Sequence, residues 1–375
     1  MKFRFLTAAA LLASTTSAYA VGLDRSGQSI SVLFQDGNHL EFSLGYTDPT
    51  ITGTTFVAPG FVQNESGNVG DSFLTFGAGI KVDLNDRWSF ALIGDEPYGA
   101  DTFYGNSSAT SALGGTGATV DSYAITALAR YKFNDNWSVH GGLRYQEVSA
   151  SVTLGGVAFG AVNGYDGFFG SDGDVGYVIG AAYEIPAIAL RVALTYNSST
   201  THDLPTTESG LPVPFLNGNS ITEVETPESV NLDFQTGIAA NTLLFGNVRW
   251  ANYGQTNVSP VGFTTVTGSS LTDLETGYDF SLGVGRRFNE KWSGSLAVGY
   301  STLGDDDFVS PLAPTNGQVS ISVGAKYDVN DSFAIAGGIR YTDLGNAIPN
   351  TASTARGSFD GNDAISAGLR FEYKF

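Results

Sequence analysis

The chain has 375 residues, no cysteine and a formal charge of −19. Without cysteine, disulfides and thiolate metal sites are excluded, so export to an oxidising compartment leaves the fold unaffected. The acidic balance argues against a nucleic-acid partner, which is met with lysine and arginine.

Residues 1–20 read as a secretory signal. Lys2 and Arg4 supply the positive start, Phe5 to Ala13 a short apolar run, and Ala18-Tyr19-Ala20 a small-x-small cleavage site, so the mature chain is expected from Val21. Residues 21–37 follow as a candidate plug. In it Ile30, Val32, Leu33 and Phe34 form an apolar cluster beside Asp24, Arg25 and Asp36. Such residues need an interior to pack in, or the segment is a flexible tail.

Residues 38–375 are expected to be all-β, a fourteen-stranded antiparallel transmembrane β-barrel. The strand-like segments are 38–47, 72–84, 87–96, 120–133, 136–151, 174–185, 187–198, 228–239, 241–252, 276–288, 291–302, 317–328, 332–344 and 361–375. Short turns join them in pairs at Asn85-Asp86, Asn134-Asp135, Ile185-Pro186, Ala240-Asn241, Asn289-Glu290 and Asn330-Asp331. Between the pairs lie seven long connections, 48–71, 97–119, 152–173, 199–227, 253–275, 303–316 and 345–360. Short turns on one side and long loops on the other describe a barrel in an outer membrane, with both termini on the periplasmic side. A large soluble β-sandwich has the same alternation but gives no reason for the loop asymmetry.

Parity along the strands assigns the faces. Trp137, Val139, Leu143 and Tyr145 share one face of the fifth segment; Ser138, His140, Arg144 and Gln146 share the other. An Arg or Lys facing lipid at the midplane costs about 2–4 kcal/mol, so the basic face belongs to the lumen. That rule places Lys81, Arg130, Arg144, Arg191, Arg249, Arg287, Arg340 and Arg370 inside, with Glu41, Asp83, Asp233, Asp279 and Glu372. Trp88, Trp137 and Trp292 follow short turns, where an interfacial aromatic girdle lies. In the last segment Ala367, Leu369, Phe371, Tyr373 and Phe375 alternate with small or charged residues.

Several residues are candidates for ligand contact. Arg130, Arg144, Arg249 and Arg340 could meet a carboxylate, or could neutralise lumenal acids. Leu33 and Phe34 offer the plug's apolar side. Phe159, Phe168, Phe169, Leu211, Pro212, Val213, Pro214, Phe215 and Leu216 are apolar where loops are usually polar, which suits either an outer capture groove or loop self-packing. Glu96-Pro97 marks either a break in wall pairing or a strand end, because proline cannot donate to a ladder. Asp305-Asp306-Asp307 and the Asp166, Asp172, Asp174 group match no full calcium loop and read as solvated charge. Ser138 with His140 reads as lining rather than catalysis. No metal site, cofactor or enzymatic activity is expected.

Three stretches resemble the FadL-type outer-membrane long-chain fatty acid transporters. Thr226 to Tyr253 is similar to that family's Thr-Pro-led hairpin. Gly22-Leu23-Asp24-Arg25-Ser26-Gly27-Gln28 resembles the mature start of alphaproteobacterial members, as does Gly94-Asp95-Glu96-Pro97-Tyr98-Gly99-Ala100-Asp101. The resemblance implies a monomeric barrel whose N-terminal hatch plugs the lumen, and passive uptake of long-chain fatty acids or other hydrophobic small molecules. In such members the ligand leaves sideways through the wall and binding shifts the hatch. This chain departs in having a short hatch without the family's Asn-Pro-Ala motif. Implied partners are the hydrophobic ligand, outer-membrane lipid and lipopolysaccharide, and the barrel assembly machinery through Phe375. A general aqueous porin and a structural or adhesive surface barrel are the competing functions.

Overall fold

The computed structural model describes residues 23–58, 61–106, 110–302, 304 and 308–375. The signal segment, Val21, Gly22 and Asp305–Asp307 lie outside the described residues. Fourteen strands form a closed antiparallel ring. They are β1 (His39–Thr50), β2 (Phe73–Asp83), β3 (Trp88–Asp95), β4 (Gly117–Lys132), β5 (Trp137–Leu154), β6 (Tyr165–Ile185) and β7 (Leu190–Asn197), then β8 (Ser229–Ala239), β9 (Thr242–Ala251), β10 (Gly277–Arg287), β11 (Trp292–Ser301), β12 (Gln318–Asp328), β13 (Phe333–Asp343) and β14 (Asp363–Lys374). Each pairs with its sequence neighbours, and β1 closes on β14 from His39↔Lys374 to Thr50↔Asp363. Closure leaves the ring without a terminal strand.

Asparagine sets four of the short turns. The Asn85 side-chain oxygen accepts from the backbone N–H of Arg87 and Trp88, at 2.9 and 3.0 Å. Asn134, Asn289 and Asn330 repeat this with the second and third residues that follow each of them. The turn thereby fixes where the next strand begins, and that residue is Trp88, Trp137, Trp292 or Phe333. Each tryptophan then packs on a tyrosine across the ladder: Trp88 on Tyr131, Trp137 on Tyr183 and Trp292 on Tyr327, with ring centroids 4.8, 4.7 and 4.8 Å apart. The Ala240-Asn241 turn instead uses Asn241 in the left-handed region, at φ 58°.

The faces follow the parity argument. Leu143, Ile179, Val323 and Ile339 point outward, while Lys81, Arg130, Arg144, Arg249, Lys326 and Arg370 are buried in the lumen. Inside, Lys326 pairs with Glu372, and Lys81 with Asp83 at 2.6 Å. Gly142 is required where β5 meets β4, since a Cβ there would lie 1.8 Å from the Ala127 carbonyl oxygen.

The long connections hold more structure than their composition suggests. β6 starts at Tyr165, above the expected 174, and its upper part pairs with Thr201–Ser209, which pairs in turn with Gly218–Glu225. Gly-, Ser- and Asp-rich residues carry no alternation to read; cross-strand pairing specifies them as strand. A short helix α1 (Val261–Thr267) rests against this hairpin: the Glu208 carboxylate accepts from the N–H groups of Gly262 and Phe263, both at 2.8 Å. Tyr165, Phe169, Leu204, Leu211, Val224 and Phe263 make the core of this upper tier.

Candidate functional site

The N-terminal segment crosses the lumen. Its lower half is the 3-10 turn Ser31–Phe34, whose Val32, Leu33 and Phe34 are buried. With Ile30 they pack against Ala91, Ile93, Leu128, Val178, Ala182 and Ala193, the small and apolar lumenal residues of β3, β4, β6 and β7. Phe34 is held between two guanidinium groups, those of Arg130 at 4.6 Å and Arg191 at 4.7 Å from its ring centre. His140 meets the same ring edge-on at 5.7 Å. The Lys81 ammonium donates to the Gln35 and Gly37 carbonyls at 2.8 and 3.0 Å. Apolar burial and cations thus fix this half.

The upper half is held by polar contacts. Asp24, fully buried, pairs with Arg249 of β9 at 2.5 Å. The same guanidinium donates to Ser229 (2.9 Å), Asn231 (3.1 Å) and Gln28 (3.3 Å). Asn231 also donates to the Gly27 carbonyl at 2.9 Å, and Ser26 to Asp95 at 2.5 Å. Leu23 packs above with Tyr98, Ala251, Tyr253 and Leu274. Burial pushes the Tyr253 hydroxyl well above the ordinary phenol range, so it stays neutral.

Beside this segment the wall is interrupted. β2 begins at Phe73, yet its ladder with β3 runs only from Ala78↔Gly94 to Asp83↔Ser89. β3 leaves that ladder at Glu96-Pro97 and resumes as Gly99–Phe103 along β4. The N-terminal segment stands in the interval: Asp24 bridges Tyr98, Arg25 N–H donates to the Pro97 carbonyl and Gly99 N–H to the Leu23 carbonyl, both at 2.8 Å. Glu96 accepts from Phe76 N–H at 3.2 Å, an edge donor that the interrupted ladder would otherwise strand. A gap of about 80 Å³ lies between Ser26, Ser29 and Val32 on one side and Thr75–Ala78 and Ile93–Glu96 on the other. A second hollow of about 290 Å³, reaching Leu74 and Tyr123 on the outer face, shares Arg25 and Glu96 with it. Arg25 binds Asp101 at 2.5 Å and covers the Phe73 ring at 4.1 Å.

A larger cavity of about 480 Å³ opens among the long loops, lined by Phe159, Phe263, Leu271, Leu274, Phe308 and Leu312 among others. Its volume is that of a small-molecule site. Leu274 joins its floor to the Leu23 cluster above the Asp24–Arg249 pair.

The residues singled out from sequence divide among these places. Arg249 serves Asp24, Arg130 pairs with Glu184 and donates to Ser138 at 3.0 Å, and Arg144 donates to Thr126 (2.8 Å) and Asn197 (3.0 Å). Arg340 is buried in the wall of β13. Phe168 and Phe169 are consecutive on β6 and therefore point apart: Phe169 is buried in the upper core, Phe168 exposed. Phe215, at the hairpin tip, is 85% exposed and does not line the cavity. Of the apolar loop residues, Phe159 is the one that reaches it. Sequence reasoning missed Gln28, Ser229, Asn231 and Tyr253. The alternation Ser229-Val230-Asn231 ahead of Arg249 carried a signal for two of them. Phe263, Leu271 and Leu312, scattered in Thr- and Ser-rich loops, carried none.

A family model described as outer membrane protein transport protein (OMPP1/FadL/TodX) matches residues 36–374. The fold is similar to a solved Pseudomonas aeruginosa FadL homologue (TM-score 0.73, 15% identity, 96% of this chain and 97% of the other). It is also similar to the Pseudomonas putida toluene transporter TodX (TM-score 0.65, 12% identity, 97% of each) and the Ralstonia pickettii toluene transporter TbuX (TM-score 0.61, 15% identity, 92% and 90%). No curated protein matches this chain.

Proposed function

This chain belongs to the OMPP1/FadL/TodX family of outer membrane transport proteins, and on that premise we propose that it carries hydrophobic small molecules across the outer membrane. The observation that carries the reading is one arrangement. A cavity among the loops, lined by apolar and polar side chains in similar measure, stands over a lumen crossed by the N-terminal segment, and the wall is interrupted beside that segment. An aqueous pore is poorly served by a lumen filled with Leu33 and Phe34.

In this reading residues 1–20 export the chain, residues 21–37 act as the hatch, and ligand enters through the mouth cavity. It leaves sideways where Glu96-Pro97 interrupts the wall, so that apolar cargo passes into the bilayer instead of crossing water. Long-chain fatty acids are the cargo suggested by the sequence resemblance; toluene is the cargo of two structural neighbours. The barrel works as a monomer, seated in lipopolysaccharide and assembled through its C-terminal Phe375.

The test is uptake by cells lacking their own transporter, with and without this protein, of labelled oleate, labelled toluene and a small hydrophilic sugar. Entry of either hydrophobic compound without the sugar supports the reading. Entry of the sugar alone would replace it with a porin.

A further inference from the structure

We propose that the mouth cavity takes hydrophobic molecules that carry no negative charge and discriminates against those bearing a carboxylate. The inference rests on the cavity being the entry site and names the cargo class that site admits.

Two independent observations carry it. First, among the described residues that line the cavity the charged ones are Asp273 and Glu275, with no lysine or arginine. The remaining polar lining is hydroxyl and amide. A carboxylate entering this partly apolar space finds like charge and no cation, and a charge withdrawn from water without a counter-charge is costly. An alcohol, ester or hydrocarbon meets neither obstacle, and the lining hydroxyls serve a neutral head group.

Second, the field extends beyond the cavity. The seven long connections together contain sixteen Asp and Glu, against one lysine or arginine, Arg356. One sign of charge around a funnel with low-dielectric walls lowers the local concentration of like-charged solutes before they arrive. Arg356 does not itself line the cavity; its Nε donates to Thr351, which does, at 2.6 Å. Deeper in the lumen, Arg249 is engaged with Asp24 and Arg130 with Glu184. Of the four lumenal arginines that could meet a carboxylate or neutralise acids, these two are paired with the protein's own acids.

The experiment uses the purified full chain in zwitterionic nanodiscs at neutral pH, with empty nanodiscs subtracted. Binding of labelled decanol, decylamine and decanoate is compared, so that chain length is constant and only the head group's charge changes. Decanol is expected to bind roughly tenfold more tightly than decanoate, and decylamine no more weakly than decanol. In D273N/E275Q the decanoate penalty shrinks and decanol binding holds, with the folded barrel confirmed by its heat-dependent gel mobility. In R356Q decanoate binding is unchanged. Decanoate binding as tightly as decanol would overturn the inference while leaving a hydrophobic transporter standing. So would loss of decanoate binding in R356Q, which would make Arg356 an anion anchor. If none of the three binds, the cavity is not the entry site, and the proposed function fails there first.

Discussion

Replacing Asp24 with alanine should release the upper half of the N-terminal segment. Its side chain is 0% exposed and that of Arg249 1%, so the substitution leaves a buried guanidinium without its counter-ion. Breaking a buried pair in this way costs about 3–5 kcal/mol. Here Ser229, Asn231 and Gln28 still accept from Arg249, and each neutral hydrogen bond returns part of the loss. The expected net effect is therefore about 2–3 kcal/mol, which raises the released population roughly 30- to 150-fold. Trypsin reads this directly, because the Arg25 side chain, 9% exposed and held by Asp101 in the closed segment, becomes a cleavage site once it is free. Cutting after Arg25 should accelerate by that factor in D24A, accompanied by higher single-channel conductance in planar bilayers. The double variant D24A/R249A removes both charges and should be cut more slowly than D24A. The reasoning is refuted if D24A is cut no faster than the wild type, or if the double variant is cut faster than D24A.

Three further outcomes follow from the same contacts. F34A empties an apolar site and leaves the Arg130 and Arg191 guanidiniums facing one another; a loss of about 3–5 kcal/mol is expected, seen as faster amide exchange over residues 30–37. Burial holds the His202 imidazole below the 6.5 of a free side chain, against the pull of Asp172. The unfolded hairpin therefore takes up a proton first, so its hold weakens as pH falls below 6.5. Amide exchange across 201–225 should speed up on acidification in the wild type and lose that pH dependence in H202N. Deleting Phe375, whose backbone N–H makes one 3.3 Å bond to Asn38, should lower the yield of assembled barrel in cells. Barrel that does assemble should unfold in urea as the wild type does.

Much of the barrel was legible because two simple constraints act on every stave. Lipid on one side and a polar lumen on the other force a period of two, and short turns must use residues such as Asn85, Asn134 and Asn289. The upper tier was not legible for the converse reason. Residues 165–173 and 201–225 bury one face on a core that includes His202, Thr206 and Glu208 beside Leu204 and Val224, so the alternation is hidden and pairing partners distant in sequence decide their conformation. The site was read in part. Charge and parity placed Arg249 and Arg130 in the lumen and gathered Ile30 to Phe34 into one cluster, but parity says nothing of which acid each arginine will meet. The mouth cavity was hidden most completely, since Phe159, Phe263 and Leu312 converge from three loops with no shared pattern.

Exit through the wall is the step that separates this account from a pore, and Gly94 gives access to it. Gly94 borders the gap, and a Cβ built there would meet only the Ala124 carbonyl, at 3.9 Å; it lies on the outer face with Phe90 and Leu92, so a larger side chain covers the opening from that side. Gly94→Phe should therefore obstruct the opening without disturbing the ladder. The measurement is uptake of the hydrophobic compound that the wild type transports, made in parallel with its binding to the purified variant. The account predicts that binding persists while uptake falls to the level of cells lacking the protein. Uptake at the wild-type rate in a folded G94F barrel would contradict it and place the exit through the lumen.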